Sequence, residues 1–161
     1  MSVDLEILIS HAKLKDGREV RLRPILPDDN LPLLEMTRHL SPESVYYRFF
    51  GYIQQFTLPM MQRYTHIDYR KEMAIVAEIR EGKNSRLFAG VGRVVGDDSG
   101  NKAEFAVIVA DPYQGLGLGS ILSQKMTEVA VHLGFESLYA HVLRGNTGML
   151  HIMKQLEFQI R

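Results

Sequence analysis

Glu104-Phe-Ala-Val-Ile-Val-Ala-Asp-Pro-Tyr-Gln-Gly-Leu-Gly-Leu-Gly-Ser120 decides the fold of this chain. Phe105 to Ala110 is an unbroken apolar run rich in Val and Ile, the pattern of a strand covered on both faces. Asp111-Pro112 ends it, because proline has no N–H to donate and biases the preceding residue away from helix. Gly115, Gly117 and Gly119 follow at alternate positions, where a ligand can approach the backbone closely. From Leu118 the apolar period turns helical through Ile121, Leu122, Met126, Val129 and Leu133, and Gly134 stands where the helix should stop. The first amides of such a helix lack partners within it, and its dipole is positive there. Strand, glycine loop and helix N-terminus together predict a phosphate cradle.

Spacing separates the possible cradles. A dinucleotide fingerprint G-x-G-x-x-G counted from Gly115 ends on Ser120, so it fails. A P-loop needs lysine directly after its last glycine, and none occurs before Lys125. What remains is Gln114-Gly-Leu-Gly117-Leu-Gly119, or Q-x-x-G-x-G, with an apolar strand before it and an amphipathic helix after it. This resembles the acyl-CoA pyrophosphate loop of the GNAT superfamily of N-acyltransferases.

Working outward, His11 to Leu22 reads as a hairpin turning at Asp16-Gly17. Helices are expected after Pro32, from a Ser41 cap through the following residues, and from a Thr57 cap to about Thr65. The region 30–67 also concentrates aromatic and Met residues, which are expected to be core with some lining an acceptor groove. Met73 to Ile79, Leu87 to Val95 and the Glu104 strand are joined by short turns and predict an antiparallel meander. The helix 118–133 then crosses over to a strand Ser137 to Leu143, parallel to the Glu104 strand. Asn146 opens a last helix with Met149, Leu150, Met153 and Leu156 inside. The fold class is therefore α+β, with a mixed central sheet flanked by helices.

That order is similar to the GNAT fold over nearly the whole chain. Leu22-Arg-Pro24, Leu40-Ser-Pro-Glu-Ser-Val-Tyr-Tyr-Arg-Phe-Phe50, and Ile67-Asp-Tyr69 before Met73-Ala-Ile-Val-Ala77 resemble the GNAT domain of bacterial protein lysine acetyltransferases. The resemblance implies a single GNAT domain over 1–161. It also departs in three places. The family's frequent tyrosine acid, seven residues after the helix-initial asparagine, is Met153 here. The family's last strand should follow Phe158, but the sequence stops at Arg161, as a truncation or as a place that a partner fills. Leu156-Glu-Phe158 stands for the usual Leu-Gly-Phe turn.

The implied reaction is acyl transfer from acetyl-CoA, as co-substrate, to an amine, with a protein lysine as the leading acceptor. A small amine or a protein N-terminus is the alternative, and a non-catalytic acyl-CoA sensor is a third reading. A lysine ammonium of pKa near 10.4 is neutral in only about one molecule in 2,500 at pH 7, a deficit of ~4–5 kcal/mol. A base is the remedy, and Glu104 is the candidate: the only carboxylate on the central strand, sharing a face with Ala106. Burial is expected to raise its pKa. The resemblance further assigns the amides of Val107, Ile108 and Val109 to the pantetheine arm and the thioester carbonyl. Gly115, Leu116, Gly117, Leu118, Gly119 and Ser120 would hold the pyrophosphate, with Gln114 bracing the loop. Asn146 would touch the CoA arm; as plain structure it is an N-cap. Arg48 and Asp68 match the lysine acetyltransferase pattern, and a salt bridge or core hydrogen bond is expected for both.

Composition narrows the rest. The 161 residues carry 19 Lys+Arg against 19 Asp+Glu, so no global field favours nucleic acid or an anionic membrane. With no cysteine, disulfides, thiolate catalysis and zinc–thiolate sites are excluded. The six histidines show no metal spacing and are expected to be structural or on the surface. The N-terminus lacks a basic region, no apolar run reaches membrane-spanning length, and a cytoplasmic monomer or homodimer is expected.

Overall fold

The computed structural model describes residues 3–161. Six strands form one sheet in sequence order: β1 (Ser10–Lys13), β2 (Glu19–Pro24), β3 (Glu72–Glu81), β4 (Ser85–Gly96), β5 (Lys102–Val109) and β6 (Ser137–Tyr139). The first five are antiparallel to their neighbours, and β5–β6 is parallel. Short turns permit only antiparallel neighbours, whereas the β5–β6 link carries a whole helix, α4 (Leu118–His132). The continuous apolar run of β3 is buried from Glu72 to Ile79, as a strand covered on both faces must be.

On one face α4 packs against β4 and β5. The approach is close because β4 offers glycine there. A Cβ on Gly90 would lie 2.8 Å from the Ile108 carbonyl oxygen and 3.0 Å from Leu122 Cδ1. The other face is covered by α1 (Asn30–Thr37), α2 (Pro42–Phe49) and α3 (Leu58–Thr65). Here Phe49 meets Phe56 and Tyr64 at ring separations of 5.8 and 6.4 Å. The last helix, α5 (Thr147–Gln155), packs against α4.

Beside this apolar core lies a charged knot. Arg23 of β2 holds Asp29 bidentately at 2.7 and 2.9 Å and donates to Glu78 of β3 at 2.8 Å. Asp29 also accepts the Leu26 amide at 2.7 Å, so the knot fixes the path from β2 into α1.

Several expectations hold. Ser41 caps α2 through the Ser44 amide at 3.1 Å. Gly134, at φ +85°, ends α4, with the Phe135 amide donating back to Ala130 at 3.0 Å. Two expectations need correction. Thr57 precedes α3 but makes no side-chain cap bond; Pro59, in the first turn, lacks one of the amides a cap would serve. The strand expected over Ser137 to Leu143 ends at Tyr139. Beyond that residue the chain diverges from β5 and makes no ladder with it. Among the described residues no strand follows Phe158.

Candidate active site

The divergence of β6 from β5 makes the site. Ala110 N–H donates to the Ala89 carbonyl at 2.8 Å, which sets the alternation along β5. By the period of two, Ile108 and Ala106 also turn their amides to β4, and Val107 and Val109 turn theirs to the open edge. Of the three amides expected to meet a ligand, Ile108's is therefore engaged within the sheet; Val107 and Val109 are the ones that face the gap.

At the end of this edge lies the glycine loop. Gly115 and Gly117 adopt φ +77° and +90°, which only glycine takes without strain. The loop is tied from three sides. Gln114 Nε2 donates to the Val109 carbonyl at 2.9 Å and to Ser44 Oγ at 3.1 Å, the brace expected of it. Lys15 N–H donates to the Leu116 carbonyl at 2.9 Å, and the Lys15 stem lies against Gly117. Gly119 lets α5 approach, since a Cβ there would stand 3.0 Å from Ile152 Cδ1. Among the described residues, the amides of Gly115, Leu116, Gly117, Leu118, Gly119 and Ser120 have no hydrogen-bond partner. Six free donors at the positive end of a fifteen-residue helix fit a diphosphate. Gly115, Gly117, Leu118, Gly119 and Ser120, though not Leu116, line a cleft of about 500 Å³ together with Val107, Val109 and Asn146. Gln114→Ala removes both brace bonds and should weaken CoA binding several-fold by calorimetry; unchanged affinity would mean the loop is held without it.

Glu104 stands at the inner end of the open edge, in a side pocket shared with Tyr47, Arg48, Val107, His141 and Asn146. One expectation changes here. The Glu104 side chain is 42% exposed, so burial does not isolate it from water. His141 is on the surface, as expected, and adds a contact the sequence did not suggest: its Nδ1 lies 3.0 Å from Glu104 Oε1. Because β6 is short, the chain after it curves over Glu104 rather than continuing the ladder. No spacing rule could have found this contact between residues 37 apart.

The rim is closed by Tyr47, whose hydroxyl donates to the Gly145 carbonyl at 3.0 Å. Loss of hydration and the Glu43 carboxylate push this phenol above its ordinary range. Asn146 Oδ1 accepts the Met149 amide at 3.2 Å, so it caps α5 at the edge of the cleft. Met153 is buried in the core, and no acid stands in its place. Asp68 pairs with Arg70, as expected of it, and Tyr69 hydroxyl donates to the Ile25 carbonyl at 2.6 Å. Arg48 departs from expectation: it makes neither a salt bridge nor a hydrogen bond among the described residues, and lies over the Phe49 ring at 4.8 Å. Among the described residues no three His, Asp or Glu side chains gather as metal ligands. No helix among them is long and apolar enough to cross a membrane.

A strand, a glycine loop on a helix N-terminus and a splayed strand pair define a class, and comparison with known proteins agrees. Residues 36–158 match the model of the acetyltransferase (GNAT) family. The chain belongs to that family, whose members transfer an acetyl group from acetyl-CoA to an amine. It is 32% identical to acetyltransferase PA5475 of Pseudomonas aeruginosa over 145 residues, which is 90% of this chain and 77% of that protein. It is 30% identical to acetyltransferase Pat of Mycolicibacterium smegmatis over 144 residues, 89% of this chain but only 42% of Pat. The crystal structure of the GNAT domain of S. lividans PAT superposes with a TM-score of 0.84 at 27% identity, covering 95% of this chain and 89% of that one.

Proposed function

We propose that this chain is a single GNAT domain that acetylates a lysine side chain of a protein, with acetyl-CoA as co-substrate, in the cytoplasm. One observation carries the reading: the free amides of the glycine loop and the open edge of β5 run as one surface that ends at Glu104. The lysine acceptor is supported by the likeness to the Pat proteins and by the matching stretch Leu40 to Phe50.

In this reading each group has a task. The amides of Gly115 to Ser120 hold the diphosphate, and Lys15 lies beside them as a further cation. Val107 and Val109 align the pantetheine arm as an added strand would and polarise the thioester carbonyl. Glu104, oriented by His141, takes the proton from the lysine ammonium, directly or through a water admitted by its exposed face. The freed nitrogen lone pair forms the C–N bond to the carbonyl carbon, and the C–S bond breaks. The leaving thiolate takes its proton from solvent, since Met153 offers none. The bound co-substrate thus supplies the activated acyl carbon, and the chain supplies alignment and proton removal.

Calorimetry with CoA tests the site, and mass spectrometry of candidate proteins incubated with acetyl-CoA tests the acceptor. Micromolar CoA affinity and new acetyl-lysine are expected. Absence of CoA binding would overturn the reading. Acetylation of small amines or N-termini alone would replace the acceptor and keep the site.

A further inference from the structure

The helices over β5 enclose a second space that this mechanism leaves unused. It lies under α1, α2 and α3, walled by Leu33, Met36, Phe56, Met61 and Val91, among others. Ile108 and Arg48 line both this space and the coenzyme cleft, so the two adjoin. Arg48 also lines the pocket of Glu104. It therefore stands where cleft, base and inner pocket meet.

Two arginines face this apolar pocket, and they differ. Arg93 donates to Glu72 at 2.7 Å and to the Tyr64 carbonyl at 2.9 Å, so its charge is answered. Arg48 has only the Phe49 ring, and no oxygen within hydrogen-bond reach among the described residues. Burial, and then the nearby charge of Arg93, lower its pKa, yet a guanidinium starts so high that it stays charged. A half-buried cation with no hydrogen-bonded partner, answered only at a distance by the carboxylates of Glu104 and Glu72, is a costly arrangement for the protein alone. Its planar fork of donors matches one ligand group best, a carboxylate held by two parallel hydrogen bonds.

We infer that this pocket is an acyl subsite for a short dicarboxylic acyl group, whose terminal carboxylate pairs with Arg48. The inference rests on the coenzyme reading above and adds a second class of acyl donor beside acetyl-CoA. Size sets the limit. The inner space of about 40 Å³ holds roughly three to four water-sized groups. That suits the carboxylate of a malonyl group, or the carboxylate and one methylene that succinyl adds to acetyl. It excludes a long acyl chain.

Binding of unreactive thioethers tests this without any acceptor. S-(2-carboxyethyl)-CoA and S-propyl-CoA have the same chain length and differ in the carboxylate. By calorimetry the native protein should bind the carboxylated analogue about 10–100-fold more tightly, the scale of a hydrogen-bonded charge pair. Arg48→Met, which keeps the apolar stem, should bring the two to near parity, and Arg48→Lys should retain part of the preference. Thermal unfolding reports whether each variant is folded, and because Arg48 also lines the coenzyme cleft, each analogue is compared with CoA on the same variant. Equal binding of the two analogues by the native protein would overturn the subsite. So would a preference that survives Arg48→Met. Loss of affinity for CoA and both analogues in the native protein would instead overturn the coenzyme reading, and the subsite with it.

Discussion

Glu104→Gln lowers kcat/KM for amine acetylation by about 10²–10³-fold, within the range of a lost general base. The amide keeps the shape and removes the proton acceptor, so CoA affinity should stay close to native. The defect has a pH signature. At neutral pH almost all lysine is protonated, and the variant must wait for the rare neutral amine. As pH rises towards ~10 the amine loses its own proton, and the gap between native and variant closes. Initial rates of thiol release across pH 7 to ~9.5 measure this. A variant that loses less than tenfold, or whose deficit is flat with pH, would remove Glu104 from the role of base. His141→Ala tests the partner. It leaves the carboxylate present but unheld, so a smaller loss, about tenfold, is expected, with the same pH recovery.

Arg23→Met carries the largest expected cost in stability, about 3 kcal/mol. Removing one partner of a buried ion pair costs ~3–5 kcal/mol, because the other partner is left charged and poorly solvated. Asp29 is 6% and Glu78 9% exposed, and both lose their principal cation. The lower end of the range applies because Arg21 still reaches Glu78 at 3.2 Å from a more exposed position. In urea this amounts to a midpoint shift of roughly 1–3 M, given a slope of about 1–3 kcal/mol per M. Arg70→Ala is the contrast. Its pair with Asp68 is also well formed, at 3.1 Å, but lies in solvent, and its loss should hardly move the midpoint. Equal shifts for the two variants would mean that burial does not decide the worth of these pairs.

These two predictions differ in where their evidence lies. Glu104 could be chosen from the chain alone, because it is the only carboxylate on its strand and directly precedes the apolar run Phe105 to Ala110. The Arg23 knot could not. Leu22-Arg-Pro24 is visible as a motif, but its partners Asp29 and Glu78 join it only when β2 pairs with β3 and the chain turns into α1.

The same division runs through the whole molecule. Periodicity, turn residues and glycine spacing are local properties, so the linear order of strands and helices, the cradle between Gln114 and Ser120 and the Ser41 cap were all legible in one dimension. Three features depend on distant segments meeting. Lys15 reaches the glycine loop through a backbone bond across about a hundred residues. His141 reaches Glu104 because β6 stops at Tyr139. Arg48 lies among apolar side chains drawn from three helices, and none of them offers it an oxygen. Backbone preference acts over a few residues, whereas charge pairing and pocket shape depend on which surfaces the packed sheet and helices bring together. The chain alone thus determined the elements and the anion cradle, and tertiary packing decided the partner of the base and the cation left without one.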